Sequence, residues 1–169
     1  MLLDKKFNKG LDLGFEPDRI IYANPTKMKS HISFARNAGV DMMTFDNLNE
    51  LEKISQVHPT AQLVLRIITD DSNSLCKFST KFGAPLETIQ TLLEQAKELK
   101  MNVIGVSFHV GSSCMNVDSF VSAIQTAHQI FQLAETIGFH FTLLDIGGGY
   151  PGFNEGSSIS FPDIANAIR

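Results

Sequence analysis

Gln62-Leu63-Val64-Leu65-Arg66-Ile67-Ile68 and Val103-Ile104-Gly105-Val106-Ser107-Phe108-His109-Val110 decide the architecture. Both runs are almost continuously apolar rather than alternating, so both faces of each strand are buried. Arg19 to Ala23, Asp41 to Phe45 and Phe139 to Ile146 read as further strands. Helical spacing fills the gaps: Met28 to Ala38, closed by Gly39; a stripe of Leu48, Leu51, Ile54 and Val57 capped by Asp46 or Asn47; Leu86 to Leu99; and Asp118 to Gly138. A last helix starts near Phe161-Pro162-Asp163 and runs to Arg169, and the first 14 residues suit one more, ending at Gly14. Strand-helix alternation with two-sided burial implies a parallel sheet in an α/β fold. A doubly wound sheet and a (β/α)8 TIM barrel both fit. Five strands cannot close a barrel of eight, so the barrel reading requires a partial barrel of about five βα units.

Length and composition are those of one ordinary globular domain: 169 residues, 43% hydrophobic and 19% charged. The net charge of -4 and the absence of a Lys/Arg run argue against nucleic acid and anionic membrane surfaces as partners. No secretory signal and no spanning apolar stretch are expected. Cys76 and Cys114 form no disulfide framework, which suits a reducing, cytoplasmic setting. The five histidines are dispersed without metal-ligand spacing, so no metal site is expected, and no G-x-S-x-G elbow occurs.

The chemically unusual residues fall at the C-terminal ends of the strands, where ligands bind in either architecture: Asn24-Pro25, Asp46, Arg66, His109, Asp145 and Gly147-Gly148-Gly149. The triple glycine suits an anion, because consecutive N–H groups can converge with no side chain in the way, or it is a plain tight turn. Gly147, Gly149 and Gly152 also match G-x-G-x-x-G. Pro151 removes an N–H where a helix should begin, and Phe153 to Ser160 reads as loop, so a dinucleotide site is disfavoured. His109 is either a satisfied polar residue or a flat ring able to stack on a heterocycle, and Ser112 offers a hydroxyl for a phosphate. Arg66, inside an apolar strand, needs an anion: a ligand oxygen, or Asp145 or Asp46 of the core. The polar stretch Thr69 to Gly83 is a long connection of a kind that often carries function.

Several ordered segments carry a resemblance. They are Ile20-Ile21-Tyr22-Ala23-Asn24-Pro25 with Lys27, Met42-Met43-Thr44-Phe45-Asp46, Leu63-Val64-Leu65-Arg66-Ile67 with Thr69-Asp70-Asp71, Lys81-Phe82-Gly83, Gly105-Val106-Ser107-Phe108-His109-Val110-Gly111-Ser112, and Leu144-Asp145-Ile146-Gly147-Gly148-Gly149-Tyr150-Pro151-Gly152. From about Gly14 onward the chain resembles the eukaryotic ornithine decarboxylase family. These are group IV pyridoxal-phosphate-dependent decarboxylases, whose relatives act on lysine, arginine or diaminopimelate. The resemblance implies an alanine-racemase-like barrel, with residues 1–169 forming part of the pyridoxal 5'-phosphate domain and without the β-domain that follows it in the family. It implies that His109 stacks on the cofactor ring and holds its plane during catalysis. It also implies that Arg66 lies near the ring, and that Ser112 with Gly147, Gly148 and Gly149 contacts the phosphate. Asp46 and Lys81 match residues that pair with the other subunit of a homodimer.

The implied reaction is decarboxylation of ornithine to putrescine, a step of polyamine biosynthesis, with the cofactor ring as electron sink. The family's Schiff-base lysine, its ring-nitrogen carboxylate and its Cys-Asp pair have no match here, and neither Lys27 nor Lys81 sits in the lysine's motif. Cys114 does not match the catalytic cysteine. The chain alone is therefore expected to be inactive and weakly stable. Two rivals follow from the resemblance. One is a non-catalytic antizyme inhibitor, with residues from about Lys29 to Leu51 facing antizyme. The other is a decarboxylase for arginine, lysine or diaminopimelate.

Overall fold

A computed structural model describes residues 9–70, 74–76, 81–114, 116–152 and 159–169. Five parallel strands form one sheet: β1 (Ile21–Tyr22), β2 (Met42–Phe45), β3 (Gln62–Arg66), β5 (Asn102–Ser107) and β7 (Leu143–Asp145). Their order across the sheet is β1-β2-β3-β5-β7, which is their order along the chain. A doubly wound sheet reverses direction at a switch point, whereas this sheet never does. The progression is that of a barrel wall, so the partial-barrel alternative holds, and among the described residues the sheet has no switch-point crevice.

Helices α1 (Lys29–Asn37), α2 (Leu48–Val57), α3 (Ile89–Glu98), α4 (Val117–Ile137) and α5 (Phe161–Ala167) follow the strands and pack each against the next. Asn47, not Asp46, caps α2 by accepting from the Glu50 N–H. Ser160 and Asp163 form a capping box on α5. Ile32, Ala35, Leu51, Ile54, Leu93, Phe120, Ala127 and Ala134 face strands whose own side chains are buried, including Met43, Phe45, Leu63, Leu65 and Val106. Leu48, expected on the inner stripe of α2, is 38% exposed, and Glu50 replaces it inside at 1%.

The strands are shorter than expected. β3 ends at Arg66, β5 at Ser107 and β7 spans only Leu143–Asp145, so Ile67, Ile68, His109 and Ile146 belong to the loops that form the mouth. The long connection from Thr69 to Gly83 is not wholly irregular. It carries β4 (Ser74–Cys76), which pairs antiparallel with β6 (Ser112–Cys114) in a separate two-stranded arm. Ala84 then returns to bridge Ile67. Residues 9–12 are helical and Gly14 follows at φ +84°, while the rest of the expected first helix lies outside the described residues. So do residues 153–158 of the expected loop from Phe153 to Ser160. Among the described residues no helix is long and apolar enough to cross a membrane, and no cluster of His, Cys, Asp or Glu could hold a metal ion.

Candidate functional site

The glycine loop after β7 lies directly against the segment after β5. A Cβ on Gly147, whose φ is +63°, would sit 2.1 Å from the Phe108 carbonyl oxygen. A Cβ on Gly149, at φ +102°, would sit 2.1 Å from the Gly111 carbonyl oxygen. Both glycines are therefore demanded twice, by backbone sign and by the close approach of two chains. The Gly149 carbonyl accepts from the Cys114 N–H at 3.2 Å, which ties the loop to β6.

Gly148 differs. Its φ lies outside the left-handed region, and its bare Cα lies against the tip of the His109 imidazole, whose Nε2 would be 3.1 Å from an added Cβ. The ring is set by its own backbone: the Gly111 N–H donates to Nδ1 at 3.0 Å. An Nδ1 that accepts carries no proton, so a neutral His109 bears its hydrogen on Nε2, the nitrogen facing Gly148. Thr69 Oγ1 holds the His109 carbonyl at 3.0 Å and Ser74 Oγ holds that of Val110 at 2.5 Å, so the β4–β6 arm braces this segment.

Asp145 is committed to the glycine loop. Its Oδ1 accepts from the Gly147 N–H at 2.9 Å and its Oδ2 accepts from Ser107 Oγ at 3.3 Å, so it shapes the glycine loop rather than forming an ion pair with Arg66. The Gly147 N–H is thereby spent. Among the described residues the N–H groups of Gly148, Gly149 and Tyr150 have no acceptor, a run of donors suited to an anion. Ser112 lies half-buried on β6 beside this loop.

Arg66, half-buried at the end of β3, reaches the Ala23 carbonyl at 3.5 Å and lies over the Phe82 ring at 5.2 Å from its centroid. Among the described residues no carboxylate is within ion-pair distance of it. Burial pushes its guanidinium below the ordinary value, and the negative charges of Asp46 and then Asp145 oppose that shift. Asp46 accepts from the Gly83 N–H at 2.9 Å and from Asn47 Nδ2 at 2.7 Å, and Lys81 is exposed nearby in the chain.

One site residue escaped the sequence reading. Tyr150 stacks on Phe120 with centroids 4.9 Å apart and meets Phe161 edge-on at 5.7 Å. Its hydroxyl is buried without a partner among the described residues. Burial first, and Asp145 second, raise its pKa, so it stays a donor. Its position immediately after the three glycines was the available signal.

A partial (β/α)8 barrel with an imidazole at its mouth and, among the described residues, a run of N–H donors without acceptors beside it suits a class of cofactor-binding barrel. The comparisons narrow it. The family described as "Pyridoxal-dependent decarboxylase, pyridoxal binding domain" matches residues 6–169, and the chain belongs to that family. It is 53% identical over 93% of its length to an ornithine decarboxylase of Mus pahari, and 54% identical over 94% to antizyme inhibitor 2 of Xenopus laevis. Each match spans 34% of the relative, so the chain covers about a third of the length of these curated relatives. Among solved structures, the arginine decarboxylase of Paramecium bursaria Chlorella virus bound to agmatine superposes with a TM-score of 0.92 at 38% identity, over 98% of this chain and 44% of that one.

Proposed function

We propose that this chain is the cofactor-holding part of a pyridoxal-phosphate-dependent decarboxylase of the ornithine type. The observation that carries the reading is the close approach of Gly148 to His109 Nε2, beside N–H groups of Gly148, Gly149 and Tyr150 that have no acceptor among the described residues. Those residues fit the group. A flat ring stacks on the imidazole, and a phosphate takes the N–H donors of the glycine loop with the Ser112 hydroxyl. Arg66 offers a permanent cation to an anionic oxygen of the same ligand. Bound there, pyridoxal 5'-phosphate supplies an electron sink for loss of carbon dioxide from an amino acid. The chain's own work is to bind and orient. His109 fixes the plane of the ring, and Asp145 shapes the glycine loop through the Gly147 N–H. Ornithine is the proposed amino-acid substrate, with putrescine and polyamine synthesis as the setting and the cytoplasm as the compartment. Asp46 and Lys81, at the mouth, are proposed to face a second subunit of a homodimer.

Gly148→Ala tests the site. The backbone tolerates the methyl, but the methyl would press on His109 Nε2 and shift the ring. Pyridoxal phosphate affinity should fall at least tenfold (about 1.4 kcal/mol) with little change in melting temperature. Unchanged affinity would refute the placement.

A second reading has a specific observation behind it, the 54% identity to an antizyme inhibitor. In that reading α1 and β2, within about Lys29 to Leu51, present a surface to antizyme. Capture of purified antizyme by the chain, abolished by substitutions on α1, favours it, and cofactor binding without capture favours the enzyme.

A further inference from the structure

We infer that Phe82 is a positioning residue for Arg66, holding the guanidinium at the barrel mouth for an anionic oxygen of the cofactor; the inference rests on the cofactor reading above. Arg66 is long and rich in rotamers, and freezing it only when ligand arrives weakens binding. The structure freezes it beforehand. The Phe82 ring lies 5.2 Å from its Cζ, and the Ala23 carbonyl lies 3.5 Å from Nη1. With no carboxylate in ion-pair range among the described residues, most of its donors remain for a ligand. Asp46 and Asp145 balance its charge from a distance.

Phe82 is itself anchored through the residues that follow it. Gly83 donates to Asp46 Oδ2 at 2.9 Å. Ala84 bonds both ways with β3's extension: its N–H to the Arg66 carbonyl at 2.8 Å, and its carbonyl from the Ile68 N–H at 3.2 Å. Gly83, at φ +102°, leaves no room for a side chain, since a Cβ would sit 2.6 Å from the Ile68 nitrogen. This return of the chain delivers one aromatic ring to one guanidinium. The interaction wants a π face, not merely an apolar surface.

The test separates those two. The 169-residue chain is titrated with pyridoxal phosphate by equilibrium dialysis and by the absorbance of the bound cofactor, as wild type, Phe82→Leu and Phe82→Tyr. Phe82→Leu should weaken binding about 2- to 30-fold, the range a cation–π contact supplies. Phe82→Tyr should restore it to within about twofold, because its ring face is intact. In an Arg66→Lys background the loss on Phe82→Leu should shrink, as coupled residues require. Phe82→Met replaces Leu if the latter fails to fold. Equal affinities for the wild type, Leu and Tyr proteins, or a Tyr variant as weak as Leu, would overturn the inference alone. No binding by wild type would overturn the cofactor reading and the inference with it.

Discussion

Lys27 and Glu50 form a buried ion pair that the half-buried Lys53 joins. The Lys27 side chain is fully inaccessible and Glu50's is 1% exposed. Lys27 Nζ lies 2.5 Å from the Thr44 carbonyl, 3.2 Å from that of Asn24 and 3.0 Å from Glu50 Oε1, the last an ion pair off the hydrogen-bond line. Lys53 Nζ closes the ring on Glu50 Oε2 at 2.5 Å and on the Lys27 carbonyl at 2.7 Å. Burial pushes the Lys27 amine down, and Glu50 opposes that shift. Lys27→Met leaves Glu50 with Lys53 as its remaining cation and strips Oε1 of its ion-pair partner, so urea unfolding should show a loss of about 1–3 kcal/mol, and adding Glu50→Leu should recover part of it. His58 makes the fold acid-sensitive. It is 1% exposed, and burial lowers its pKa against the opposing pull of Asp41 at 2.9 Å. A folded pKa below the unfolded value of about 6.5 means that the unfolded chain takes up the proton first. Its contribution is present above that value and is lost as pH falls through the folded pKa. Melting temperature should drop between pH 7 and 5, and His58→Gln should flatten that slope. Neither cluster was legible in the sequence, because nothing in a helix stripe of Leu48, Leu51, Ile54 and Val57 marks Glu50 as the residue that turns inward.

Among the elements, the β5–β7 ladder is the least forgiving. A Cβ on Gly105 would sit 1.9 Å from the Leu143 carbonyl oxygen, a backbone atom that cannot step aside. Gly105→Ala should cost on the order of 1–3 kcal/mol or more, read by chemical denaturation, with amide exchange of β7 accelerated first. The five parallel strands were readable because two-sided burial writes an apolar run into each. The β4–β6 arm was not. Its strands are three residues each, pair across a long separation, and include polar residues such as Ser74, Ser112 and Ser113 that carry no alternation. At the site, His109, the triple glycine and Arg66 announced themselves by standing at apolar strand ends. The roles of Phe82 and Tyr150 depend on which chains fold back beside them.

For the whole molecule, the described sheet ends in two edges, β1 and β7, with Leu144 40% exposed on β7 and Phe161 52% exposed on α5. Unpaired edges and bare apolar residues favour association. The isolated chain should bind a hydrophobic dye and elute with concentration-dependent size, and dye-free monomer behaviour across concentrations would contradict this. Strand order, not strand composition, separated the barrel wall from a doubly wound sheet, and order is a property of the assembled sheet. The proposed site sets the ring of pyridoxal phosphate on His109 and its phosphate on the glycine loop. Titration of the chain with pyridoxal phosphate, competed by inorganic phosphate and repeated with Gly148→Ala, tests it most directly. Saturable binding that phosphate displaces and the alanine weakens at least tenfold is the predicted result; binding of equal strength in both proteins, or none in the folded wild type, would contradict it.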